Sequence, residues 1–396
     1  MQIEKIQAAV RAAGVGGWLF YDFRRSNPIA HRVLGLPEQA FFTRRWCYFV
    51  PARGEPVKLV SAVESHVLTM LPGRQFVYRS WHDFREMLSR MVAGAHNVAM
   101  EYVPNGDNPY CSRVDAGIVE MVRSLGPAVT SSADFAQQFE AALSPAQIAS
   151  HRAAGRALLQ AREALFAWLR PQFQSGATLS EYAIQQQFTS LMRDAGLDVP
   201  EDEQPLVAVN GNAANPHYAP TAERHSPVRT GDVLLLDFSA RMPGADSIFA
   251  DYTWMTFIGE RVPDFPANLF AVIRDARDTG TTLLRDRFTS ATPVQGFEVD
   301  DAVRAVVSHA GYGEAFVHRT GHNIGTFVHG NGAHLDNLET HDTRRLIANT
   351  CTSVEPGIYL PDQNVGVRTE VDVLLLDGSI EVTGVPAQTE IEPLLA

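Results

Sequence analysis

From the N-terminus to about residue 140, short apolar runs alternate with stretches of helical periodicity. Trp18 to Tyr21, Trp46 to Pro51, Val57 to Val63 and Asn97 to Met100 read as strands, and Trp81 to Val92 and Val114 to Leu125 as helices. This alternation predicts an α/β domain. The opening stretch MQIEKIQAAVRAAGVGGWLFYDF reads as an amphipathic helix followed by a strand. The pattern then changes at AALSPAQIASHRAAGRALLQAREALFAWLR, where Ser144 is an N-cap, Pro145 is the first helical residue and a long amphipathic helix begins. A boundary near Leu143 follows, giving domains 1–143 and 144–396. In the second, helices are expected at 147–173, 179–195, 263–285 and 297–310. Strands are expected at 205–209, 232–240, 248–258, 315–318, 351–355, 366–377 and 380–383.

The 396 residues, 45% hydrophobic, suit two domains with sizeable cores. A net charge of −12 argues against a nucleic-acid or anionic-membrane surface, which needs clustered Lys and Arg. Cys47, Cys111 and Cys351 are an odd count, far apart, and suggest neither a disulfide framework nor a thiolate zinc site. The N-terminus lacks the uninterrupted apolar core of a signal peptide, and no run approaches the roughly 18 apolar residues of a membrane span. A cytoplasmic protein is the expectation.

Five segments of the second half set metal-capable or acid/base side chains in apolar or turn contexts: NGNAANPHYAP (His217), LLLDFSARMPGADSIFADYT (Asp237, Asp251), HRTGHNIGTFVHGNG (His318, His322, His329), SVEPGIY (Glu355) and VGVRTEVDVLLL (Arg368, Glu370). Asp237 and Asp251 lie on strands joined by one turn, so they can face each other across a ladder. Two ionised carboxylates so placed in an apolar setting repel and lose hydration, and need protonation or a cation. Two further carboxylates and several histidines in the same half favour divalent cations. Oxygen-rich ligation with one imidazole suits Mn²⁺ or Co²⁺, with Zn²⁺ possible. Arg368 and Glu370, two apart on a strand, point the same way. Taken singly, each residue has an ordinary reading: Asp237 a turn cap, Glu355 a turn residue, Arg368 and Glu370 a surface pair, His217 an exposed loop residue, His318 pocket lining or structural. Glu64 and Glu101 are read as structural. No GxGxxG opens a helix after a strand, which argues against a nucleotide site.

In chain order the set Asp237, Asp251, His322, Glu355, Glu370 resembles the ligand pattern of the pita-bread metallopeptidases, which include methionine aminopeptidase, Xaa-Pro aminopeptidase and prolidase. ADYTWMTF, GHNIG, VEPGIYLP and GVRTE stand at the family's motif positions. The resemblance covers 144–396 strongly and 1–143 weakly, the latter as the creatinase-like N-terminal domain of the proline-specific branch. It implies an α+β protein whose pita-bread domain, built on a curved antiparallel sheet, holds two divalent ions. By the resemblance Asp237 binds one ion, His322 and Glu355 the other, and Asp251 and Glu370 bridge them. Glu355 is also the general acid/base, His217 and His329 bind the scissile carbonyl or the substrate's carboxyl end, and Arg368 stabilises that end or closes the site. The implied activity is hydrolysis of Xaa-Pro bonds, with dipeptides ahead of longer peptides, in a homodimer that uses neither nucleic acid nor membrane. A creatinase-like amidinohydrolase would lack several of the five ligands, and a non-catalytic binding module has no need of them. Two departures stand out: the stretch from Asp237 to Asp251 is longer than usual, and the tyrosine and arginine near the second aspartate are replaced by Ile248 and Trp254.

Overall fold

The structure is a computed structural model describing residues 2–37, 39 and 41–396. The chain divides into two compact units, Met1–Glu140 and Ala141–Ala396.

The first unit runs α1 (Gln2–Ala12), β1 (Gly17–Asp22), α2 (Pro28–Leu34), β2 (Trp46–Pro51), β3 (Val57–Ser61), β4 (Arg74–Tyr78), α3 (Trp81–Val92), β5 (Asn97–Met100), α4 (Ala116–Ser124), β6 (Ala128–Ser131) and α5 (Ala133–Glu140). Its strands form one mixed sheet in the order β4-β3-β2-β1-β5-β6. The sheet is covered on both faces, which is why β1 is apolar without alternation. Trp18 and Phe20 pack with Ile6, Ala30 and Phe135 from α1, α2 and α5, while Leu19 and Tyr21 pack with Phe84, Leu88 and Ile118 from α3 and α4. Glu101, just past β5, is fully buried and accepts hydrogen bonds from Trp18 Nε1 (2.5 Å), Asn27 Nδ2 (2.6 Å) and Ser132 Oγ (3.1 Å). Glu101→Ala leaves three buried donors without their acceptor, so urea unfolding is expected to show a loss of at least about 3 kcal/mol.

The second unit opens with α6 (Pro145–Gln174), started by a reciprocal capping box between Ser144 and Gln147. Then come β7 (Leu179–Ser180), α7 (Glu181–Asp194), β8 (Leu206–Val209), β9 (Pro227–Val228), β10 (Val233–Ala240), β11 (Ala250–Phe257), α8 (Asp264–Thr289) and α9 (Gly296–His309). The chain ends with β12 (Asn323–Ile324), β13 (Thr350–Val354), β14 (Gly357–Leu360), β15 (Val365–Arg368), β16 (Val371–Leu376), β17 (Ser379–Val382) and β18 (Glu392–Pro393). Two four-stranded sheets, β18-β11-β10-β8 and β12-β13-β16-β17, form its frame. All their pairings are antiparallel except β11 with β18.

Strand alternation divides β10 between two cores. Leu234, Leu236 and Phe238 pack on α6 and α7, whereas Val233 and Leu235 pack with residues of α8 and α9. Asp237 and Ser239 continue the second face, and across the ladder so do Thr253 and Asp251. The face therefore turns from apolar to polar at one end of the hairpin.

Two strand expectations need correction. Residues 315–318 do not form a strand: Gly313–Ala315 is a short 3₁₀ helix. Arg304 donates to the carbonyls of Phe316 and His318, occupying acceptors that a neighbouring strand would need. The expected strand 366–377 is two strands, because the chain leaves β14, the partner of β15, and joins β13 and β17 as β16. Thr369 and Glu370 sit at the break. No helix among the described residues is long and apolar enough to cross a membrane.

Candidate metal centre

Asp237 pairs with Thr253 and Ser239 with Asp251, so the two aspartates are diagonal neighbours on one face rather than directly opposed. Thr253 stands beside both, and its hydroxyl donates to Glu370 Oε2 (2.8 Å) while accepting from Arg368 Nε (3.1 Å). Arg368 and Glu370 thus reach the same side although the strand breaks between them. Thr369 turns away and accepts from Arg277 (2.8 Å).

His322 precedes β12 and is tied to β13: its N–H donates to Ser353 Oγ (2.9 Å), and its carbonyl accepts from the Ser353 N–H (2.9 Å) and from Thr352 Oγ1 (3.0 Å). Glu355 leaves the end of β13 with its N–H on Thr320 O (2.8 Å), and its Oε1 accepts from Ser353 Oγ (3.2 Å). His322 Nε2 lies 3.6 Å from Asp251 Oδ2 and 3.3 Å from Glu355 Oε1. Donor atoms of Asp251, His322 and Glu370, all buried, lie within 4.8 Å of one another. Asp237, less buried, is joined to the group through Arg368, whose Nη2 donates to its Oδ2.

The electrostatics of this cluster suit a cation. Desolvation, and then the neighbouring carboxylates, push Asp251 and Glu370 well above the usual carboxylate range. Desolvation, opposed by the Arg368 charge and reinforced by Asp237, raises Glu355 to about 7. Desolvation, then His329 and Arg319, hold His322 well below the usual histidine value. Its Nδ1 faces the Asn323 carbonyl at 3.3 Å, so Nδ1 carries the proton and the Nε2 lone pair faces the carboxylates. A ligating histidine is oriented in the same way. Asp251 Oδ1 and Glu370 Oε1 are buried without a hydrogen-bond partner among the described residues. Orphaned carboxylate oxygens beside a neutral imidazole fit divalent cations.

The outer residues divide. The His329 ring packs edge-on against His322, with centroids 4.4 Å apart. His217 is exposed, and its proximity helps to lower the proton affinity of His329, after burial and Arg319. Arg368 Nη1 donates to Tyr359 Oη (3.2 Å), which lies 2.7 Å from His318 Nε2. His318 Nδ1 faces the Arg319 carbonyl at 2.7 Å and must carry the proton, so Tyr359 donates its O–H to Nε2. His318 thus belongs to a relay running from Arg368 through Tyr359. Thr253, Ser353, Tyr359 and Arg319 are additions that the sequence reading did not single out. Of these, Thr253 carries a sequence signal, since it is two residues past Asp251 on a strand, and Tyr359 lies within the SVEPGIY stretch.

Gly321 makes the close approach of His322 to β13 possible, since a Cβ there would lie 2.0 Å from Ser353 O. Gly321→Ala must push the two segments apart, and an expected cost of about 1–3 kcal/mol comes with displacement of the His322 ring. Thermal unfolding and metal titration of this variant check both effects.

Residues 149–377 match the model of metallopeptidase family M24, and the chain belongs to that family. It is 32% identical over 205 residues to an uncharacterized peptidase of Schizosaccharomyces pombe, covering 49% of this chain and 40% of that one. It is 29% identical over 195 residues to an Xaa-Pro dipeptidase of Lactobacillus helveticus, covering 49% and 48%. The chain spans about half the length of the curated relatives it matches. Among solved structures, a dipeptidase from Mycobacterium ulcerans superposes with a TM-score of 0.66 at 22% identity, over 99% of this chain and 97% of that one. An X-Pro aminopeptidase from Thermotoga maritima superposes with a TM-score of 0.59 at 21% identity, over 98% and 99%. The fold is α+β, a pita-bread domain preceded by a smaller α/β domain.

Proposed function

We propose that this chain is a dinuclear metallo-exopeptidase that hydrolyses Xaa-Pro bonds, with Xaa-Pro dipeptides as its preferred substrates. Residues 1–143 are its creatinase-like N-terminal domain and 144–396 its catalytic domain. The observation that carries the reading is the convergence of Asp251, His322 and Glu370, with Glu355 against the same imidazole and two buried carboxylate oxygens unpartnered. Relatives named Xaa-Pro dipeptidase support the substrate class.

Asp237, Asp251, His322, Glu355 and Glu370 hold two divalent ions, Mn²⁺ ahead of Co²⁺ or Zn²⁺. Such ions supply Lewis-acid activation of a water and compensation of the charge that develops on the scissile carbonyl oxygen. Glu355 takes the proton of the attacking water and returns it to the proline nitrogen as the C–N bond breaks. Arg368 holds Asp237 in place, and its second contact, Tyr359, aligns the relay to His318. His217 and His329 bind the substrate's carbonyl or carboxyl end. An Xaa-Pro bond has no N–H and a ring-fixed φ, so the pocket must accept a tertiary amide that ordinary proteases bind poorly. The enzyme works as a cytoplasmic homodimer.

The test compares metal-stripped, Mn²⁺-loaded and Zn²⁺-loaded protein on Ala-Pro, Ala-Pro-Ala and Ala-Ala. Cleavage of Ala-Pro by the Mn²⁺ form, well ahead of the other two peptides, is expected. Tripeptide cleavage at a similar rate makes the protein an Xaa-Pro aminopeptidase, the reading that relatives called putative Xaa-Pro aminopeptidases support. Preference for Ala-Ala removes proline specificity, and no activity in any form removes the enzyme reading.

A further inference from the structure

Asp251 sits in a stretch of β11 that is held from outside the metal centre. Tyr252, Thr383 just past β17 and His151 on α6 are all buried and are joined by successive hydrogen bonds. We propose that Tyr252, Thr383 and His151 are positioning residues, a clamp that fixes Asp251 between the two ions and so sets metal affinity and turnover without touching substrate. The proposal rests on the dinuclear peptidase reading above.

The hydrogen bonds of the clamp run in one direction. His151 Nδ1 lies 2.7 Å from the Phe249 carbonyl, which can only accept, so Nδ1 carries the proton and Nε2 the lone pair. The Thr383 hydroxyl therefore donates to Nε2 (2.9 Å) and in turn accepts the Tyr252 O–H (3.1 Å). Burial holds His151 down at about 4, so the neutral imidazole that this direction needs persists through the neutral range.

The two ends of the clamp bracket Asp251. Phe249 lies two residues before it and Tyr252 one after, while the Asp251 N–H itself donates to Asp372 Oδ2 (2.9 Å) on β16. The Thr383 N–H donates to the Asp372 carbonyl (2.8 Å), which ties the middle of the clamp to the strand that holds Asp251. Tyr252 has no room to move. A Cβ on Gly155 of α6 would lie 2.3 Å from its Oη, and one on Gly384 would lie 2.6 Å from its ring. The segment 249–252 is thus held from α6, β16 and the turn after β17, with Asp251 Oδ2 3.6 Å from His322 Nε2. Contacts that orient a ligating carboxylate in this way typically cost about 10–100-fold in metal affinity or activity when removed.

Three variants of the full-length protein test the clamp. Thr383→Val removes the middle hydroxyl at nearly constant volume, Tyr252→Phe removes the first donor, and Thr383→Ser keeps the hydroxyl while losing a methyl group. Each is titrated with Mn²⁺ by calorimetry after chelation, unfolded in urea in the chelated form, and assayed for kcat and KM on Ala-Pro. Thr383→Val and Tyr252→Phe are expected to bind Mn²⁺ about 10–100-fold more weakly and to lose kcat rather than gain KM, whereas Thr383→Ser matches the wild type. Urea unfolding shows which variants fold, and Tyr252→Phe decides the matter should Thr383→Val not do so. Wild-type manganese affinity in a folded Thr383→Val or Tyr252→Phe protein, or equal impairment of Thr383→Val and Thr383→Ser, overturns the proposal. Either result with an active wild type leaves the peptidase reading standing. A wild type that binds two manganese ions and cleaves no peptide sinks that reading instead, and the affinities of the variants still decide whether the clamp holds Asp251.

Discussion

Glu355→Gln is expected to lower kcat on Ala-Pro by about 10²–10⁴-fold with little change in KM. Glutamine keeps the shape of the side chain, and its oxygen can still accept the Ser353 hydroxyl that holds Glu355 Oε1 at 3.2 Å. It cannot take a proton from water or return one to the proline nitrogen. The peptide's ends are read by other residues, so binding in the ground state changes little. Measuring the metal content of each sample alongside the kinetics separates loss of the proton carrier from loss of an ion. Unchanged kcat with both ions bound would assign the proton transfer to another group.

In the chelated protein the same substitution is expected to be stabilising at neutral and higher pH. Glu355 is held at about 7, against an ordinary value of 4.5, by desolvation first and by Asp237 among its neighbours, with Arg368 opposing. A carboxyl raised in the folded state contributes stability that is complete below its unfolded value and is lost as pH rises through its folded one. Glutamine does not titrate. The chelated variant should therefore exceed chelated wild type by about 1–3 kcal/mol at about pH 8, with the gap closing toward about pH 4.5. His322 and His334, held well below their usual values by burial, bend both curves in the opposite sense and largely drop out of the difference. Urea unfolding in the presence of a chelator at a series of pH values checks this. Reloading with Mn²⁺ should reverse the order, since the wild-type carboxylate binds the ions better.

The sequence displayed what local rules control and concealed what depends on partners. The run Leu234 to Asp237 announced a buried strand with a misplaced charge, and Ser144 with Pro145 announced the start of α6, because caps and alternation are written in consecutive residues. The apolar stretch after Gly366 was legible as extended chain, but the switch from β14 to β13 that breaks it at Thr369 and Glu370 is a choice of neighbour, invisible in periodicity. Residues 315–318 have the composition of a strand, and only Arg304, a dozen residues earlier on α9, takes the carbonyls that would have paired. β4 is hard to see because Arg74 to Tyr78 is a short edge strand whose apolar residues, Phe76 to Tyr78, are consecutive rather than alternating. The five acidic and histidine positions could be read from their motifs. Their support could not: Arg319 and Ser353 have no distinctive spacing, and His151, unremarkable among scattered histidines, meets Thr383 only once α6 and the turn after β17 pack together.

If carboxylates and an imidazole from four separate chain segments meet to hold two divalent ions, anomalous diffraction from manganese-soaked crystals, recorded on both sides of the manganese absorption edge, will locate both. Two manganese peaks enclosed by Asp237, Asp251, His322, Glu355 and Glu370 are expected, with Asp251 and Glu370 between them. A single peak, peaks elsewhere, or none at these residues in fully soaked crystals would contradict it.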